Sequence, residues 1–397
     1  MKTSIYLDHA ATTRLHPKGL EAMLPYLTDA FGNPSGSYAL GRQAARALDE
    51  ARQRVAEVLG AKQQEVVFTG PGTESINAAI KGVALAQQQA GLGNHIVTTT
   101  IEHHAVLHSC EWLEKFGFDV TYVPVDSFSM VHVDEVAAAV NEQTVLVSVM
   151  LANNEIGSVQ PVAAIAEAVR ERGKSLKHRI AVHTDAVQGA NSLDLDVQKL
   201  GVDLLSLSAH KFGGPKGAGV LFMRRGTPFL SQLSGGGQER QRRAGTENVA
   251  GVAGTAAALQ EAQAGRDEYT RTCRRLSGRL AEGIRAAIPG ATLNGHPESR
   301  LPNNMHFSFE GAQSDSILSA LDKMGIAASA GSACNSATWE PSHVLIGMGL
   351  PLSKAAGALR MTVGAENTDA EIDRVLEALP GIVAASRASA GAGFSAK

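Results

Sequence analysis

The stretch LLSLSAHKFGGPKGAGVLF, residues 204–222, places a histidine and a lysine between two short apolar runs. Each run has the length of a buried strand, and the glycines and the proline between them are typical of a turn. Lys211 would therefore stand at the end of a strand, where a lysine with a lowered pKa can bond covalently to a carbonyl compound. Ser208 and His210 beside it could bind a phosphate. A solvated lysine in an ordinary turn explains the same residues equally well.

Outward from this stretch, short apolar runs alternate with amphipathic helical patterns through the first two-thirds of the chain. This alternation predicts an α/β fold in which helices cover both faces of a mostly parallel sheet. We assign residues 14–258 to this large domain. Its strands are predicted at Val66–Phe68, His95–Thr99, Val120–Val123, Val145–Val149, Ile180–His183, Leu204–Ser206 and Gly219–Phe222.

The pattern changes near residue 258, where a long helix-prone stretch begins, about Leu259–Ile288, and shorter strand candidates follow it. We predict a smaller α+β domain over residues 259–385, joined by residues 1–13. Residues 386–397 are small and polar and have little apolar surface to bury, so we expect a disordered tail there.

Composition excludes several classes of protein. The chain has 397 residues, of which 44% are apolar, and its formal charge of −3 does not favour binding to nucleic acid or to an anionic membrane. Its three cysteines are too few and too dispersed for a disulfide framework. Because we find neither a signal peptide nor an apolar run of about 20 residues, we expect a cytoplasmic protein without a membrane span.

Three segments could bind an anion or a flat ring. Asp185 ends an apolar strand, and its carboxylate could keep a pyridine nitrogen protonated, although an Asp after a strand is often only a helix N-cap. Residues 68–75, FTGPGTES, lead from a strand into a helix and offer backbone N–H groups to an anion. His103 could stack on a ring or move protons. His104 and His108 are spaced like metal ligands but lack a third ligand, so we predict no metal site.

Two residues towards the end of the chain could act on a substrate. Cys334 lies in ASAGSACNSA, residues 328–337, which predicts a mobile loop with a reactive thiol because such a segment buries little apolar area. By contrast, Cys110 lies in a helical apolar pattern and Cys273 in a charged, surface-like helix. Arg360 lies in a strand-like run and, if buried, needs an acidic partner, either a ligand or another part of the chain.

Together these segments resemble the NifS/IscS-type cysteine desulfurases of the class-V aminotransferase family. The likeness runs from Tyr6 to about Val375, with seven motifs in the family's order. The motifs are GTES at 72–75, EH at 102–103, ANNEIG at 152–157, HTDAVQ at 183–188, AHK at 209–211, RRAGTEN at 242–248 and GSAC at 331–334. Seven motifs in register are far more specific than any one of them. The resemblance implies the type I fold of enzymes that use pyridoxal 5'-phosphate (PLP).

The resemblance also implies a role for each candidate site residue. Lys211 would hold PLP covalently, Asp185 would face its pyridine nitrogen, and His103 would stack on the ring and transfer protons. Arg360 and Asn154 would bind the carboxylate of the substrate. The cofactor site would be completed by Gly72, Thr73, Asn154, Gln188, Ser208, His210 and, from the other subunit of a homodimer, Thr246.

The implied reaction converts L-cysteine to L-alanine and keeps the sulfur as a persulfide on Cys334. An acceptor protein, such as an iron–sulfur scaffold, would then collect the sulfur. The alternative is a selenocysteine lyase, or another PLP-dependent lyase or aminotransferase of the same fold. The family pattern is broken at Pro71, which lacks an N–H donor, at Asn335, at Ala365 and by an insert at 174–179. These departures leave the identity of the acceptor open.

Overall fold

The computed structural model describes residues 5–176, 178–331 and 342–394. Cys334 and Asn335 therefore lie outside the described residues. The strands are β1 (Ile5–Tyr6), β2 (Val66–Thr69), β3 (His95–Thr99), β4 (Asp119–Val123), β5 (Thr144–Ser148), β6 (Ala181–Asp185), β7 (Leu204–Ser208), β8 (Gly219–Met223), β9 (Ala291–Leu293), β10 (Asn304–Phe309), β11 (Ile326–Ala327) and β12 (Ala358–Thr362).

Helices and helical turns connect these strands. They are α1 (Pro17–Leu27), α2 (Ala39–Leu59), α3 (Gly72–Gln89), α4 (His104–Glu114), α5 (Val133–Ala139), α6 (Val162–Gly173), α7 (Val197–Leu200), α8 (Gln238–Gln241), α9 (Val249–Ala264), α10 (Arg266–Ala287), α11 (Ser314–Lys323), α12 (His343–Gly347), α13 (Leu352–Ala355) and α14 (Asp369–Phe394). Among the described residues, none of these helices is both long and apolar enough to cross a membrane.

The largest sheet has seven strands in the spatial order β2-β8-β7-β6-β5-β3-β4. β8 runs antiparallel to its neighbours β7 and β2, while the other neighbouring pairs are parallel. The predicted α/β fold with a mostly parallel sheet is therefore confirmed. In β6 and β7, Asp185 lies opposite Ser206, so the polar ends of these two strands come out at the same edge.

Both faces of the large sheet are buried, which is why its strands read as nearly continuous apolar runs. Alternate residues of one strand point to opposite faces. In β7, Leu205 and Leu207 face a core shared with α2, α6 and α9, whereas Leu204 faces a core shared with α3 and α4. This packing fixes the strand register and, with it, the position of the residues that follow each strand.

A second core lies around an antiparallel sheet of order β12-β10-β9 with α10, α11 and α14. Ile5 and Leu7 belong to this core, and β1 pairs in parallel with β11. The stretch predicted to be helix-prone, about Leu259–Ile288, is helical, but Gly265 divides it between α9 and α10. α9 packs on α1 and α2, so the predicted boundary at residue 258 falls inside a helix of the first core. The domain boundaries stay a prediction.

The expected disordered tail is corrected over 386–394, because α14 continues through Phe394. Ser386 is buried, and its hydroxyl accepts a hydrogen bond from the backbone N–H of Gln313 at 2.9 Å. Arg387 donates to the carbonyls of Glu310 and Pro289, each at 2.9 Å. Alanine-rich sequence favours helix, and these tertiary contacts secure it where composition alone indicates a flexible end.

Candidate active site

The residues that follow the carboxyl ends of β3, β5, β6 and β7 meet at one edge of the large sheet, which is where open α/β sheets bind ligands. A cavity of about 300 Å³ lies at this edge. The structure brings ten predicted site residues to its lining: Gly72, Thr73, His103, Asn154, Asp185, Gln188, Ser208, His210, Lys211 and Arg360.

Lys211 follows β7 in a single turn of 3-10 helix, Ala209–Lys211. Its Nζ donates to the carbonyl oxygens of Ala10 and Ala11 at 2.5 and 2.8 Å. The backbone carbonyl of Lys211 accepts from Asn191 Nδ2 at 2.8 Å. The amine is thus held against the N-terminal segment inside the cavity, rather than projecting into solvent from a turn.

Asp185 is the last residue of β6 and is almost fully buried. Burial raises the pKa of its carboxyl group to about 6, although the Val187 N–H bond and nearby Lys211 favour the ionised form. Its Oδ1 accepts from the backbone N–H of Val187 at 2.9 Å, so the capping role considered from the sequence is also present. A buried carboxylate at this position interacts strongly with any cation placed in the cavity.

His103 is the N-cap of α4, and its Nδ1 accepts from the backbone N–H of Ala105 at 3.0 Å. In a neutral ring that accepts at Nδ1, the proton is assigned to Nε2. Burial, with the nearby positive charge of Lys211, lowers the pKa of His103 to about 4. The ring is therefore uncharged near neutral pH, and an uncharged imidazole can stack on a flat cofactor.

The start of α3 also lies at the cavity and is suited to an anion. α3 begins at Gly72, whose N–H donates to Ser208 Oγ at 3.2 Å. A Cβ on Gly72 would lie 2.8 Å from Ser208 Cβ, so this close approach requires glycine. Pro71, the N-cap, has no N–H to offer, as the sequence predicted. His210 Nδ1 lies 3.1 Å from Thr12 Oγ1, and burial lowers the pKa of His210 to about 4.

Arg360 in β12 is buried and is held by two parts of the chain. One terminal nitrogen donates to Asp8 Oδ1 at 2.8 Å and the other to the backbone carbonyl of Asn154 at 2.8 Å. Its Nε, also buried, has no hydrogen-bond partner among the described residues. The intramolecular ion pair and the ligand-binding role are therefore compatible, because these two bonds to described residues use two of the five N–H groups of the guanidinium.

Thr246 is exposed and does not line the cavity of its own chain. It lies in the segment that joins α8 to α9, and Arg243 of this segment donates to Glu74 Oε1 at 2.9 Å. Arg52 binds Glu239 of α8 with both terminal nitrogens, at 2.6 and 2.8 Å. This buried pair holds a turn in which Glu239 has a φ of 45°, an unfavourable value for a residue with a side chain.

Glu155 and His343 line the cavity but were not predicted as site residues. Asp8 and Glu102, which were not predicted either, bind Arg360 and Met150 of the lining. The sequence signal for Asp8 is a carboxylate directly after the apolar run of β1. Glu102 and Glu155 each lie inside a family motif, beside a residue that was predicted. Nothing in the local sequence identifies His343, whose Nε2 donates to the carbonyl of Glu102 at 2.9 Å.

The two described cysteines are both free and buried. Burial raises the pKa of the Cys110 thiol well above its usual value and that of Cys273 to about 12. The surface-like position expected for Cys273 is wrong, because α10 is amphipathic and Cys273 faces the second core beside Leu276. Neither thiol is suited to act as a nucleophile, since the thiolate is the reactive form.

Comparisons with known proteins agree over nearly the whole chain. Residues 5–375 match the family described as aminotransferase class-V. The chain is 49% identical to cysteine desulfurase IscS of Methanosarcina thermophila, over 96% of this chain and 92% of that relative. It is 47% identical to cysteine desulfurase IscS of Clostridium botulinum, over 96% of this chain and 95% of that relative. A solved NifS-like protein superposes with a TM-score of 0.89 at 37% identity, covering 96% of this chain and 100% of that one.

Proposed function

The chain belongs to the aminotransferase class-V family and is a PLP-dependent cysteine desulfurase, and from this membership we propose which of its residues carry out the reaction. The observation that carries the proposal is the convergence of Lys211, Asp185 and His103 on one cavity. These side chains supply an amine for the cofactor's aldehyde, a buried carboxylate for its ring nitrogen and an uncharged imidazole for its ring face.

The lining of the cavity fits PLP at both ends. The backbone of Gly72, the hydroxyl of Ser208 and the ring of His210 would bind the phosphate, while Asp185 would face the ring. When bound, PLP supplies an electron sink that accepts charge as bonds of the substrate break. The carboxylate of Asp185 would keep the ring nitrogen protonated, and its burial strengthens that ion pair. Gln188, whose Nε2 donates to the carbonyl of Ala10 at 3.0 Å, would face the ring hydroxyl.

The carboxylate of L-cysteine would bind to Arg360, assisted by the side chain of Asn154. Asp8 and the carbonyl of Asn154 orient the guanidinium before substrate arrives, so that little side-chain entropy is lost on binding. The N–H groups of the guanidinium that these two bonds leave unused would then donate to the carboxylate. Charge-assisted hydrogen bonds of this kind are stronger than neutral ones.

Cys334 would accept the sulfur. Its thiolate forms an S–S bond to the substrate sulfur as the C–S bond breaks, and the electron pair of that bond stays with the carbon skeleton. The skeleton takes up a proton and leaves as L-alanine, while the enzyme keeps a persulfide. Cys334 is favoured for this role because Cys110 and Cys273 are buried with raised pKa values.

The test of this function is a turnover assay with L-cysteine in the presence of a thiol reductant. We expect L-alanine and sulfide in equal amounts from the PLP-loaded protein. A parallel assay with L-selenocysteine distinguishes the alternative, since a selenocysteine lyase would turn over that substrate and leave L-cysteine nearly untouched. Formation of pyruvate or an exchanged amino group, without sulfide, would overturn the desulfurase proposal.

We further propose a homodimer in which Thr246 completes the phosphate site of the partner subunit. Thr246 is exposed and lies outside the cavity of its own chain, although RRAGTEN, in which it lies, is one of the seven motifs that resemble the family. Large apolar side chains are also exposed on α1 and the segment after it, which a second copy would cover. They are Leu20, Leu24, Leu27, Phe31 and Tyr38.

Mixing two inactive variants tests this arrangement. If Thr246 acts across the interface, a dimer of one Lys211→Ala subunit and one Thr246→Ala subunit contains one intact site of two. Since half of the dimers in an equal mixture are mixed, activity should return to about a quarter of the wild-type level. If Thr246 acts within its own chain, each site carries one defect and no activity returns. Sedimentation of the mixture checks that mixed dimers have formed.

The sulfur would pass from Cys334 to an acceptor protein, which we propose to be an iron–sulfur scaffold. We also propose the cytoplasm as the compartment, because the two described cysteines are free and a persulfide carrier needs reducing surroundings. Transfer of labelled sulfur from the loaded enzyme to purified candidate scaffolds tests the first proposal, and cell fractionation tests the second.

A further inference from the structure

Gly331 and Ser342 flank segment 332–341, which contains Cys334, and both contact the carboxylate of Glu155. The hydroxyl of Ser342 donates to Glu155 Oε2. A Cβ added to Gly331 would lie 2.6 Å from the same oxygen, so the backbone of Gly331 approaches Glu155 as closely as only glycine allows. One carboxylate oxygen therefore contacts the chain on both sides of the segment.

The hydrogen bond from Ser342 is fixed by the start of α12. Ser342 Oγ accepts from the backbone N–H groups of Val344 and Leu345, at 3.2 and 3.4 Å. With its acceptor sites used as an N-cap, the hydroxyl directs its single hydrogen at Glu155. The next residue, His343, donates to the carbonyl of Glu102, which precedes His103 in the chain.

The other side of the segment is fixed at Arg360. The backbone of Ser329 pairs with that of Arg360 in both directions, with N···O distances of 3.1 and 2.6 Å. Gly331 follows two residues later with a φ of 136°. On one side of the segment, Ser329 thus pairs with the proposed substrate-binding arginine, and on the other side His343 contacts the residue before His103.

Glu155 is itself rigidly supported. Its side chain is almost fully buried, its N–H donates to Asn153 Oδ1 at 2.9 Å, and its carbonyl accepts from Asn304 Nδ2 at 3.1 Å. A buried carboxylate is costly unless hydrogen bonds or charges offset its desolvation. Burial raises the pKa of Glu155, while the Ser342 hydroxyl and the positive charge of Arg360 lower it.

We propose that Glu155 is a positioning residue for sulfur transfer, which joins the two ends of segment 332–341 beside Arg360 and His103. The inference rests on the proposed role of Cys334 as the nucleophile. Holding both ends at one point restricts where the segment can carry the thiol, and so raises its effective concentration at the substrate sulfur. Substrate binding does not depend on this contact, because Arg360 is held by Asp8 and by the backbone of Asn154.

The test compares two signals in a single turnover of the PLP-loaded enzyme. The change in cofactor absorbance on mixing with L-cysteine reports substrate arrival, and mass spectrometry of quenched samples reports the extra sulfur on the Cys334 peptide. In Glu155→Ala we expect an unchanged absorbance signal and persulfide formation slowed by about 10- to 100-fold. Glu155→Gln should regain most of that rate, since its amide oxygen can still accept from Ser342.

Two further variants and a control accompany this pair. Ser342→Ala removes the contact from the other partner, and Gly331→Ala places a Cβ against the carboxylate, so each should slow persulfide formation even if Glu155→Ala folds poorly. The control is Glu65→Gln, at a buried carboxylate remote from the cavity that accepts from Lys62 N and Arg225 N at 2.9 and 2.8 Å. The control should match the wild type in both signals.

Persulfide formation at the wild-type rate in all three variants that break the contact would overturn the inference. So would an equal loss of both signals in Glu155→Ala, because Glu155 would then act on substrate binding. A wild-type enzyme that turns over L-cysteine without extra sulfur on Cys334 would reject the proposed nucleophile, and the inference with it.

Discussion

The cavity has two walls that are built differently. The sheet wall consists of residues at or just after strands of the large sheet: His103, Asp185, Ser208 and Lys211. The segment wall consists of Gly331, His343 and Arg360, which lie near the Cys334 segment or in β12, and it is supported from behind by Ser329 and Ser342. Strands held in parallel ladders and buried on both faces position the first wall. In the second wall, Arg360 lies in the ladder between β10 and β12, but the residues next to the Cys334 segment are positioned by one isolated bridge and by single side-chain contacts.

This difference matches the two tasks of the enzyme. A cofactor must be held in one geometry through every turnover, and a continuous sheet supplies that rigidity. Sulfur must be taken from the substrate and later given to another protein, which needs a part of the site with fewer stabilising contacts. We therefore expect changes in the sheet wall to alter the cofactor, and changes in the segment wall to leave the cofactor intact while altering sulfur chemistry.

The largest effect is expected for Lys211→Ala in the sheet wall. The purified variant should lose the yellow cofactor band of the wild type, and its turnover should fall by about 10³-fold or more, because no other amine would take the place of Lys211. Borohydride reduction of the wild type followed by peptide mapping should label Lys211. A label on a different lysine would show that Lys211 is not the residue that holds the cofactor.

Cys334→Ser should show the opposite behaviour. We expect the cofactor band and the absorbance change with L-cysteine to remain, while sulfide release falls by about 10³-fold, since a hydroxyl is far less ionised than a thiol near neutral pH. Mass spectrometry of the wild type should find the extra sulfur on the Cys334 peptide.

The matched controls for Cys334→Ser are Cys110→Ser and Cys273→Ser. Both should keep activity, although burying a hydroxyl in either core should lower the free energy of unfolding by about 1–3 kcal/mol. An extra sulfur on Cys110 or Cys273, or full sulfide release by Cys334→Ser, would contradict the expectation that sulfur chemistry depends on the segment wall.

Asp185→Asn tests a smaller change in the sheet wall. Asparagine can still accept from the N–H of Val187, so PLP should bind, but a neutral side chain no longer holds the ring nitrogen protonated. We expect turnover to fall by about 10²-fold, with a shifted cofactor band. Near-normal turnover would show that Asp185 acts only as a capping residue.

The two walls also differ in how far the sequence predicts them. The sheet wall could be predicted because each strand is a short apolar run, and the polar residue that ends it is visible at once, as with Asp185 after β6. The segment wall could not, because its contacts join distant parts of the chain. Nothing near Arg360 indicates that Asp8 binds it, and nothing near Glu155 indicates Ser342. Local composition also failed for the end of α14, where tertiary hydrogen bonds of Ser386 and Arg387 favour helix.

The last prediction concerns Glu102, which makes hydrogen bonds on the side of the sheet wall and with His343 of the segment wall. Its Oε1 accepts from Thr99 Oγ1 and from the N–H of Met150, at 2.8 and 2.9 Å, and its carbonyl accepts from His343. Burial raises the pKa of its carboxyl group from 4.5 to about 8. The folded protein therefore holds a proton there that the unfolded chain loses near 4.5, so this group's contribution to stability falls as pH rises from 4.5 to about 8.

Glu102→Gln keeps both contacts of Oε1 but has no proton to lose. Between about pH 5.5 and about pH 7.5, the wild type should lose roughly 2–3 kcal/mol of unfolding free energy relative to the variant. Urea unfolding of both PLP-loaded proteins at these two pH values measures the difference, in which the titration of all other groups cancels. Parallel pH dependences would mean that Glu102 is already ionised in the folded protein. In that case the side chain of Glu102, which connects the strand ends of the sheet wall to the start of α12, would be a charged carboxylate rather than a protonated one.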